Sequence, residues 1–263
     1  MTYIFIGSVA LITAFLTLFS GFGLGTLLMP AFALFFPLPI AVASTAVVHG
    51  ANNLLKVSLL HADIKKRILL RFGVPALFSA VVGALSLNYL SRASESIEYQ
   101  LFDFQMETSL LKVVLGILIL LFALFDLSPW KKKYHFAEKW LPLGGVLSGF
   151  FGGLSGHQGA FRSMFLLNCG LSPKEFVATQ SVIASIVDMT RLLIYMIGFL
   201  GISASNQISD KLDLQLVLFA TLSAFIGTFI GKRLLEKTKI ALVRWVTASL
   251  LLLIGTSLVL GMI

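Results

Sequence analysis

The strongest constraint on this chain is a series of apolar runs, each about as long as a bilayer is thick. A helix needs about 20 apolar residues to cross the hydrocarbon core. Seven runs approach that length: 2–20, 40–60, 68–90, 109–125, 173–199, 214–231 and 240–262. Only 12% of the 263 residues are charged, about half the share found in soluble domains. The sequence therefore predicts an all-α polytopic membrane protein.

A glycine-rich segment interrupts this pattern between two shorter apolar arms, 141–154 and 159–168. Five glycines fall within residues 149–159, together with His157 and Gln158. Each glycine costs about 1 kcal/mol relative to alanine inside a helix, and irregular backbone at membrane depth survives only inside protein or beside a wet cavity. Such a break is typical of a transporter binding site. The alternative is an ordinary loop at the membrane surface.

The second half of the chain resembles the first at an offset of 135 residues. Segment 43–48 matches 178–183, and Asn53, Lys56 and Gly21 align with Asp188, Arg191 and Gly156 respectively. Internal repeats are a common construction of secondary transporters. The sequence predicts repeat 1–130, with hairpin 2–36 and helices 40–60, 68–90 and 109–125. It predicts repeat 131–263, with hairpin 141–168 and helices 173–199, 214–231 and 240–262.

Loop charges predict how the two repeats are oriented. Loops 61–67, 131–139 and 232–239 are basic, whereas 91–107 and 201–213 lean acidic. Short basic loops are cytoplasmic as a rule, so the chain must cross an even number of times between 139 and 232. Segment 141–168 must then enter and leave on one side, which makes each repeat a hairpin plus three crossings and inverts the second repeat. The competing interpretation has eight simple crossings and parallel repeats.

Ionisable residues inside the predicted spans favour an anionic substrate. Such residues are costly in a bilayer and mark functional sites by default. Asp188 is the one acid well inside a span, and it faces a surplus of basic groups. The predicted substrate-binding residues are His49, Asn52, Asn53, Lys56, His157, Gln158, Arg162 and Arg191. The predicted backbone positions at the hairpin tips are Gly21, Gly23, Gly25, Gly156 and Gly159.

Structural alternatives exist for these candidates. Lys56 could extend along its helix to the membrane surface, and Arg191 could be held only by Asp188, three residues earlier. The asparagines and His49 could be polar contacts between helices. We assign Asp188 a coupling or orienting role.

The duplicated glycine break and the Pro-then-Ala-Ser/Thr segments at 39–44 and 173–179 resemble the sulfite exporter TauE/SafE family. The resemblance extends over essentially the whole chain. It implies a membrane exporter of small sulfur-containing anions such as sulfite, sulfoacetate and other organosulfonates. Many members resemble Gly-x-Gly-Gly-Gly in the second break, where this chain has Gly156-His-Gln-Gly-Ala160 and then Arg162.

Other classes of function receive little support. No P-loop, metal-ligand spacing or nucleophile–base pair is evident, so we expect no enzyme activity, cofactor or metal. A membrane-embedded enzyme, a carboxylate transporter and a structural subunit are the alternatives. The expected partners are a small anion and the lipid bilayer of the cell (inner) membrane, with no nucleic acid. Proton coupling, facilitated diffusion and a homodimer are all left open.

Overall fold

The computed structural model describes residues 1–20, 24–101, 103–128, 136–203, 213–233 and 240–262. Within them the chain is mainly helical, as predicted. The helices are α1 (Thr2–Ser20), α2 (Leu24–Ala33), α3 (Leu38–Leu60), α4 (Lys66–Ala93), α5 (Leu110–Leu127), α6 (Leu141–Ser155), α7 (Gly159–Leu166), α8 (Pro173–Ser203), α9 (Leu214–Arg233) and α10 (Ile240–Val259). Short 3-10 turns lie at His61–Asp63 and Glu138–Trp140.

Four of the described helical segments are long and apolar enough to cross a membrane: 38–63, 66–93, 173–198 and 214–231. The apolar stretches described for the other predicted spans are shorter, at 2–16, 110–125 and 248–259. Large apolar side chains face outward on the long helices. Phe78, Leu193 and Leu218 are 67%, 63% and 61% exposed, which suits lipid rather than water. The chain is thus a helical membrane protein.

Within the described ranges, a two-stranded antiparallel hairpin is the one departure from the all-α prediction. Strand β1 (Ser96–Leu101) pairs with β2 (Phe104–Ser109) in the acidic segment between α4 and α5. Apolar and polar residues alternate through β1, which is the pattern of a half-buried strand. The Tyr99 hydroxyl donates to the Leu260 carbonyl at 2.9 Å, so the hairpin lies against the end of α10.

Prolines and glycines shape the helices in different ways. Pro173 is the first residue of α8, and Pro39 and Pro142 lie in the first turns of α3 and α6, where a missing N–H costs nothing. Glycines instead permit close packing of α6 on α4. A Cβ added at Gly145, Gly149 or Gly153 would lie 2.1–2.2 Å from a carbonyl oxygen of α4.

This close packing corrects the expectation that residues 149–159 are broken throughout. The spacing of four residues places Gly145, Gly149 and Gly153 on one face of α6, and small residues at this spacing let membrane helices approach closely. Helix α6 therefore continues to Ser155, and only residues 156–158 separate it from α7. Close packing at a glycine also occurs between α1 and α9, where Gly227 faces the Leu11 carbonyl.

Two pairs of helices run antiparallel to each other. On α3 and α8, Gly50 faces Asp188, while the amide of Lys65 just beyond α3 donates to Thr179 Oγ1 at 3.0 Å. On α5 and α10, Gly116 faces Val259 and Leu120 faces Gly255. Helices α3 and α8 bring the polar residues of the chain together, and α2, α6 and α7 close over them.

Candidate functional site

Four charged side chains are buried among the described residues, namely Lys56, Arg162, Asp188 and Arg191, each 4% exposed or less. Lys56 lies on α3, Arg162 on α7, and the other two on α8. Arg162 is linked to Asp188 through Gln158, and His49 and Arg191 contact Asp188 directly. The structure therefore brings His49 of the first half of the chain together with Arg162, Asp188 and Arg191 of the second half in one buried cluster, while Lys56 is buried on the same helix as His49.

Asp188 is the centre of this cluster because donors from three helices or their ends converge on its carboxylate. His49 Nδ1 lies 2.6 Å from Oδ2, and Gln158 Nε2 donates to Oδ1 at 3.0 Å. Arg191 donates from Nε to Oδ1 at 3.0 Å, and its Nη2 lies 2.8 Å from the same oxygen. A carboxylate so bound is stable in its charged form. It joins α3 to α8 and to the turn before α7.

Gln158 connects Asp188 with Arg162 through the two ends of its amide. Its Nε2 donates to Asp188, while its Oε1 accepts from Arg162 Nη1 at 2.9 Å. Ser148 on α6 donates to the Gln158 carbonyl at 2.8 Å, which fixes the turn. Arg162 Nε and Arg191 Nη1 have no hydrogen-bond partner among the described residues. These two N–H groups remain available to a bound acceptor.

The two glycine breaks approach each other beside this cluster. Gly156 ends α6 with φ 84°, in the left-handed region, and donates its N–H to the Gly152 carbonyl at 2.9 Å. A Cβ at Gly25 would lie 3.1 Å from the Gly156 carbonyl oxygen and 3.7 Å from the His49 ring. Gly159 is the buried first residue of α7. Gly21 and Gly23 lie outside the described residues.

Of the other predicted site residues, Asn53 lies within the cluster, whereas His157 and Asn52 make contacts elsewhere. Asn53 Nδ2 lies 3.2 Å from His49 Nδ1, within the cluster. His157 stacks on Phe122 with ring centroids 5.2 Å apart, and its Nδ1 lies 3.0 Å from Ser155 Oγ. Asn52 accepts from Thr228 at 2.7 Å, as a contact between α3 and α9. His157 Nε2 and Asn52 Nδ2 have no partner among the described residues.

Sequence reasoning missed Ser148, Phe122 and Thr228 as supports of the site. Ser148 holds the turn through Gln158, and Phe122 fixes the plane of the His157 ring. Nothing in the sequence distinguishes Thr228 from the other hydroxyl residues of α9, Thr221 and Ser223. A search for polar residues near the breaks would have found Ser148.

The chain matches the family model of the sulfite exporter TauE/SafE over residues 6–258. The chain belongs to the TauE/SafE family. No curated protein and no solved structure matches it. The resemblance noted in the sequence is thereby confirmed, and membership of the TauE/SafE family indicates a membrane transporter of sulfur-containing anions. A transporter family is consistent with the expectation that the chain is not an enzyme.

Proposed function

We propose that this TauE/SafE protein is a multi-pass secondary transporter of the cell inner membrane that exports small sulfur-containing anions, including sulfite, sulfoacetate and other organosulfonates. The anion binds where the two glycine breaks meet. One observation carries the proposal: in the part of the chain that the structure describes, three of the four buried charged side chains are cations, and Asp188 is the one acid among them. A buried surplus of positive charge is costly unless it is paired, and a bound anion supplies the missing charge.

The chemistry of the available donors suits a sulfur oxyanion. Arg162 and Arg191 each retain a guanidinium N–H without a partner, and charge-assisted hydrogen bonds to oxyanions are the strong ones. The planar guanidinium fork can contact two oxygens of one sulfonate or sulfite group. The Arg191 Nη1 atom is buried beside the Gly156 turn, so substrate would reach this donor through a movement of the turn.

The hairpin in each repeat is supported by contacts between its two ends. In the first, Phe5 near the start of α1 contacts Phe35 just after α2, with ring centroids 5.7 Å apart. In the second, Phe136 before α6 stacks on Phe165 of α7 at 4.5 Å. In each hairpin the start of the first arm thus lies beside the end of the second arm. This is expected of a segment that enters the membrane and returns to the same side.

Ion pairs at one end of the molecule support the same topology. Arg67 pairs with Glu138 at 3.2 Å just before α6, and Lys65 pairs with Glu175 at 2.6 Å at the start of α8. Residues 138 and 175 therefore both lie beside the basic segment 61–67. Eight simple crossings would place them on opposite sides of the membrane.

Antiparallel pairing of equivalent helices supports inverted repeats. Helices α3 and α8 occupy equivalent places in the two proposed repeats, as do α5 and α10, and both pairs run antiparallel. Repeats related by an axis in the membrane plane reverse the direction of every helix. In the proposed arrangement the anion site lies between the repeats, where rocking of one repeat against the other would expose it to each side in turn.

We expect loops 131–139 and 232–239 to label from the cytoplasm. The test uses single cysteines in a Cys169→Ser background, Lys132→Cys and Lys237→Cys, with Glu95→Cys as the matched control in the acidic segment. A membrane-impermeant thiol reagent should modify Glu95→Cys in intact cells and modify the other two only after lysis. Labelling of 132 and 237 from opposite sides would disprove the inverted topology.

We expect anions to raise the thermal unfolding midpoint of the purified protein in the order sulfoacetate and sulfite above carboxylates. A ligand that binds only the folded state adds about 2.7 kcal/mol at a hundredfold excess over Kd. Malonate tests the carboxylate alternative, because it replaces the sulfonate of sulfoacetate by a carboxylate. Ethylenediammonium is the cation control and should have no effect.

The Arg162→Gln variant is the matched protein control, and the sulfoacetate effect should be lost in it. Proteoliposomes loaded with labelled sulfoacetate should then release it only when they contain the unaltered protein. Stabilisation by malonate alone would favour the carboxylate alternative. Chemical conversion of the anion, with no flux, would favour the enzyme alternative.

A further inference from the structure

We propose that Gln158 couples anion binding to movement of the turn at 156–158, and that it acts as a positioning residue rather than as a substrate ligand. Its amide holds the turn against α8, and a bound anion releases the turn by taking the place of the amide oxygen on Arg162. This inference rests on the proposed function, because it takes the buried cluster around Asp188 as the anion site. The sequence prediction instead makes Gln158 a substrate-binding residue.

The turn between α6 and α7 is fastened to α8 on both sides. Before the turn, the Tyr195 hydroxyl donates to the Gly153 carbonyl, and after it Gln158 Nε2 donates to Asp188 Oδ1 at 3.0 Å. Tyr195 and Gln158 are each 1% exposed, so water does not compete for either bond. Arg191 Nη1 is buried beside the same turn. An anion therefore reaches this donor only when the turn moves away from α8.

Of these two bonds, the one from Gln158 is the one that an anion can break. Gln158 Oε1 accepts from Arg162 Nη1 at 2.9 Å, while its Nε2 binds Asp188. Because a guanidinium only donates and an ionised carboxylate only accepts, one orientation of the amide satisfies both partners. Resonance keeps an amide planar and rigid, so its oxygen cannot leave Arg162 without turning its nitrogen away from Asp188. The two contacts are therefore lost together.

A sulfur oxyanion is a stronger partner for Arg162 than this amide. Arg162 Nε has no hydrogen-bond partner among the described residues, so an anion can bind there first. A charged oxygen is a better acceptor than a neutral amide oxygen, and an oxyanion can bind the guanidinium fork at two points. The anion thus competes with Gln158 for the rest of the same guanidinium, which a neutral solute does only weakly.

The other contacts around the turn survive this exchange. Ser148 of α6 donates to the backbone carbonyl of Gln158 at 2.8 Å, and that bond does not involve the displaced side chain. Asp188 keeps His49 and Arg191 as its partners. The turn therefore stays joined to α6, and α3 stays joined to α8. The contact between the start of α7 and α8 is the one that opens.

The first measurement is the affinity of purified Gln158→Met for sulfoacetate. Methionine keeps the length of the side chain and adapts to its surroundings, but it lacks both polar ends. We expect Kd to fall about threefold to tenfold, the equivalent of one hydrogen bond, because no amide competes for Arg162. A substrate ligand at position 158 predicts a rise in Kd, and a purely structural glutamine predicts no change in the folded protein. Either result would overturn the inference.

Gln158→Glu separates the two ends of the side chain. A carboxylate should pair with Arg162 more strongly than the amide does and should be repelled by Asp188. We therefore expect sulfoacetate to bind at least about tenfold more weakly than to the unaltered protein, and an unchanged Kd would count against competition at Arg162. Gln180→Met is the matched control, because Gln180 is a buried glutamine of α8 that is 4% exposed. Its Kd should equal that of the unaltered protein.

The second measurement follows the turn itself through Ala160→Cys in a Cys169→Ser background. Ala160 lies in the first turn of α7 and is 8% exposed. Alkylation by N-ethylmaleimide, which crosses membranes, should become several-fold faster with saturating sulfoacetate. Adding Gln158→Met should make it fast without sulfoacetate. Ala220→Cys on α9, where Ala220 is 0% exposed, is the control whose rate should not respond to the anion.

The outcomes separate this inference from the proposed function. Sulfoacetate that binds the unaltered protein without speeding alkylation of Ala160→Cys would overturn the coupling role of Gln158 and leave the proposed function standing. If Gln158→Met cannot be purified folded, this labelling of the protein with Gln158 in place still decides the matter. Failure of sulfoacetate to bind the unaltered protein would instead overturn the proposed function.

Discussion

Asp188→Asn is expected to lower the stability of the protein by about 3–5 kcal/mol, because it leaves buried cations without compensation. The carboxylate accepts from His49, Gln158 and Arg191, and an asparagine offers one oxygen in place of two. Its NH₂ group would face donors rather than acceptors. The measurement is the thermal unfolding midpoint together with the folded fraction after purification.

Added anion should partly reverse this loss, which distinguishes a binding site from a purely structural ion pair. Without Asp188 the cluster carries one more uncompensated positive charge, so sulfoacetate affinity should persist or increase in Asp188→Asn. The matched control is Glu138→Gln, which removes the exposed pair with Arg67. Surface pairs contribute about 0–1 kcal/mol, so this variant should behave like the unaltered protein.

The Asp188→Asn/Arg191→Gln double variant tests whether Arg191 binds substrate. It removes one positive and one negative charge, so folding should recover, whereas anion affinity should fall below that of Asp188→Asn, because Arg191 Nη1 has been lost as a donor. Arg191→Lys should retain more anion affinity than Arg191→Gln but less than the unaltered protein, since the ammonium lacks the planar fork of the guanidinium. Full transport with unchanged affinity in the double variant would show that Arg191 is not a substrate ligand.

The helices of this protein could be predicted closely from sequence because a membrane span is identified by the apolar composition of its own residues. The predicted first span, 2–20, coincides with α1, and the arm 141–154 differs from α6 by one residue. The polar face of α3 was also evident, since His49, Asn52, Asn53 and Lys56 follow helical spacing. All four are buried in the structure.

Other features depended on partners distant in the chain. The offset of 135 residues aligns Asn53 with Asp188, yet the side chain that contacts Asp188 most closely from α3 is His49, 139 residues away. Repeat alignment identifies equivalent positions but not the contacts that form between antiparallel helices. The glycines of α6 were similarly misread, because their fit against the carbonyls of α4 is visible only once both helices are in place.

Gly156→Ala is expected to abolish anion transport while leaving membrane insertion unchanged. Gly156 has φ 84°, where a Cβ costs about 1–2 kcal/mol. That Cβ would also lie 2.8 Å from Arg191 Nη1, so the guanidinium must move from the position in which it holds Asp188 and faces the turn. Insertion depends on the apolarity of the spans, which alanine does not lower.

Gly170→Ala separates the two causes of this effect. Gly170 also has a positive φ, 64°, but a Cβ there would meet no atom within 4 Å. Both variants therefore incur similar backbone strain, and only Gly156→Ala displaces Arg191. We expect Gly170→Ala to lower the unfolding midpoint modestly and to retain sulfoacetate flux in proteoliposomes. Gly156→Ala should lose flux even at temperatures where it is fully folded.

Equal flux in the two folded variants would mean that the position of Arg191 beside the Gly156 turn does not matter for transport. The turn would then serve only to end α6.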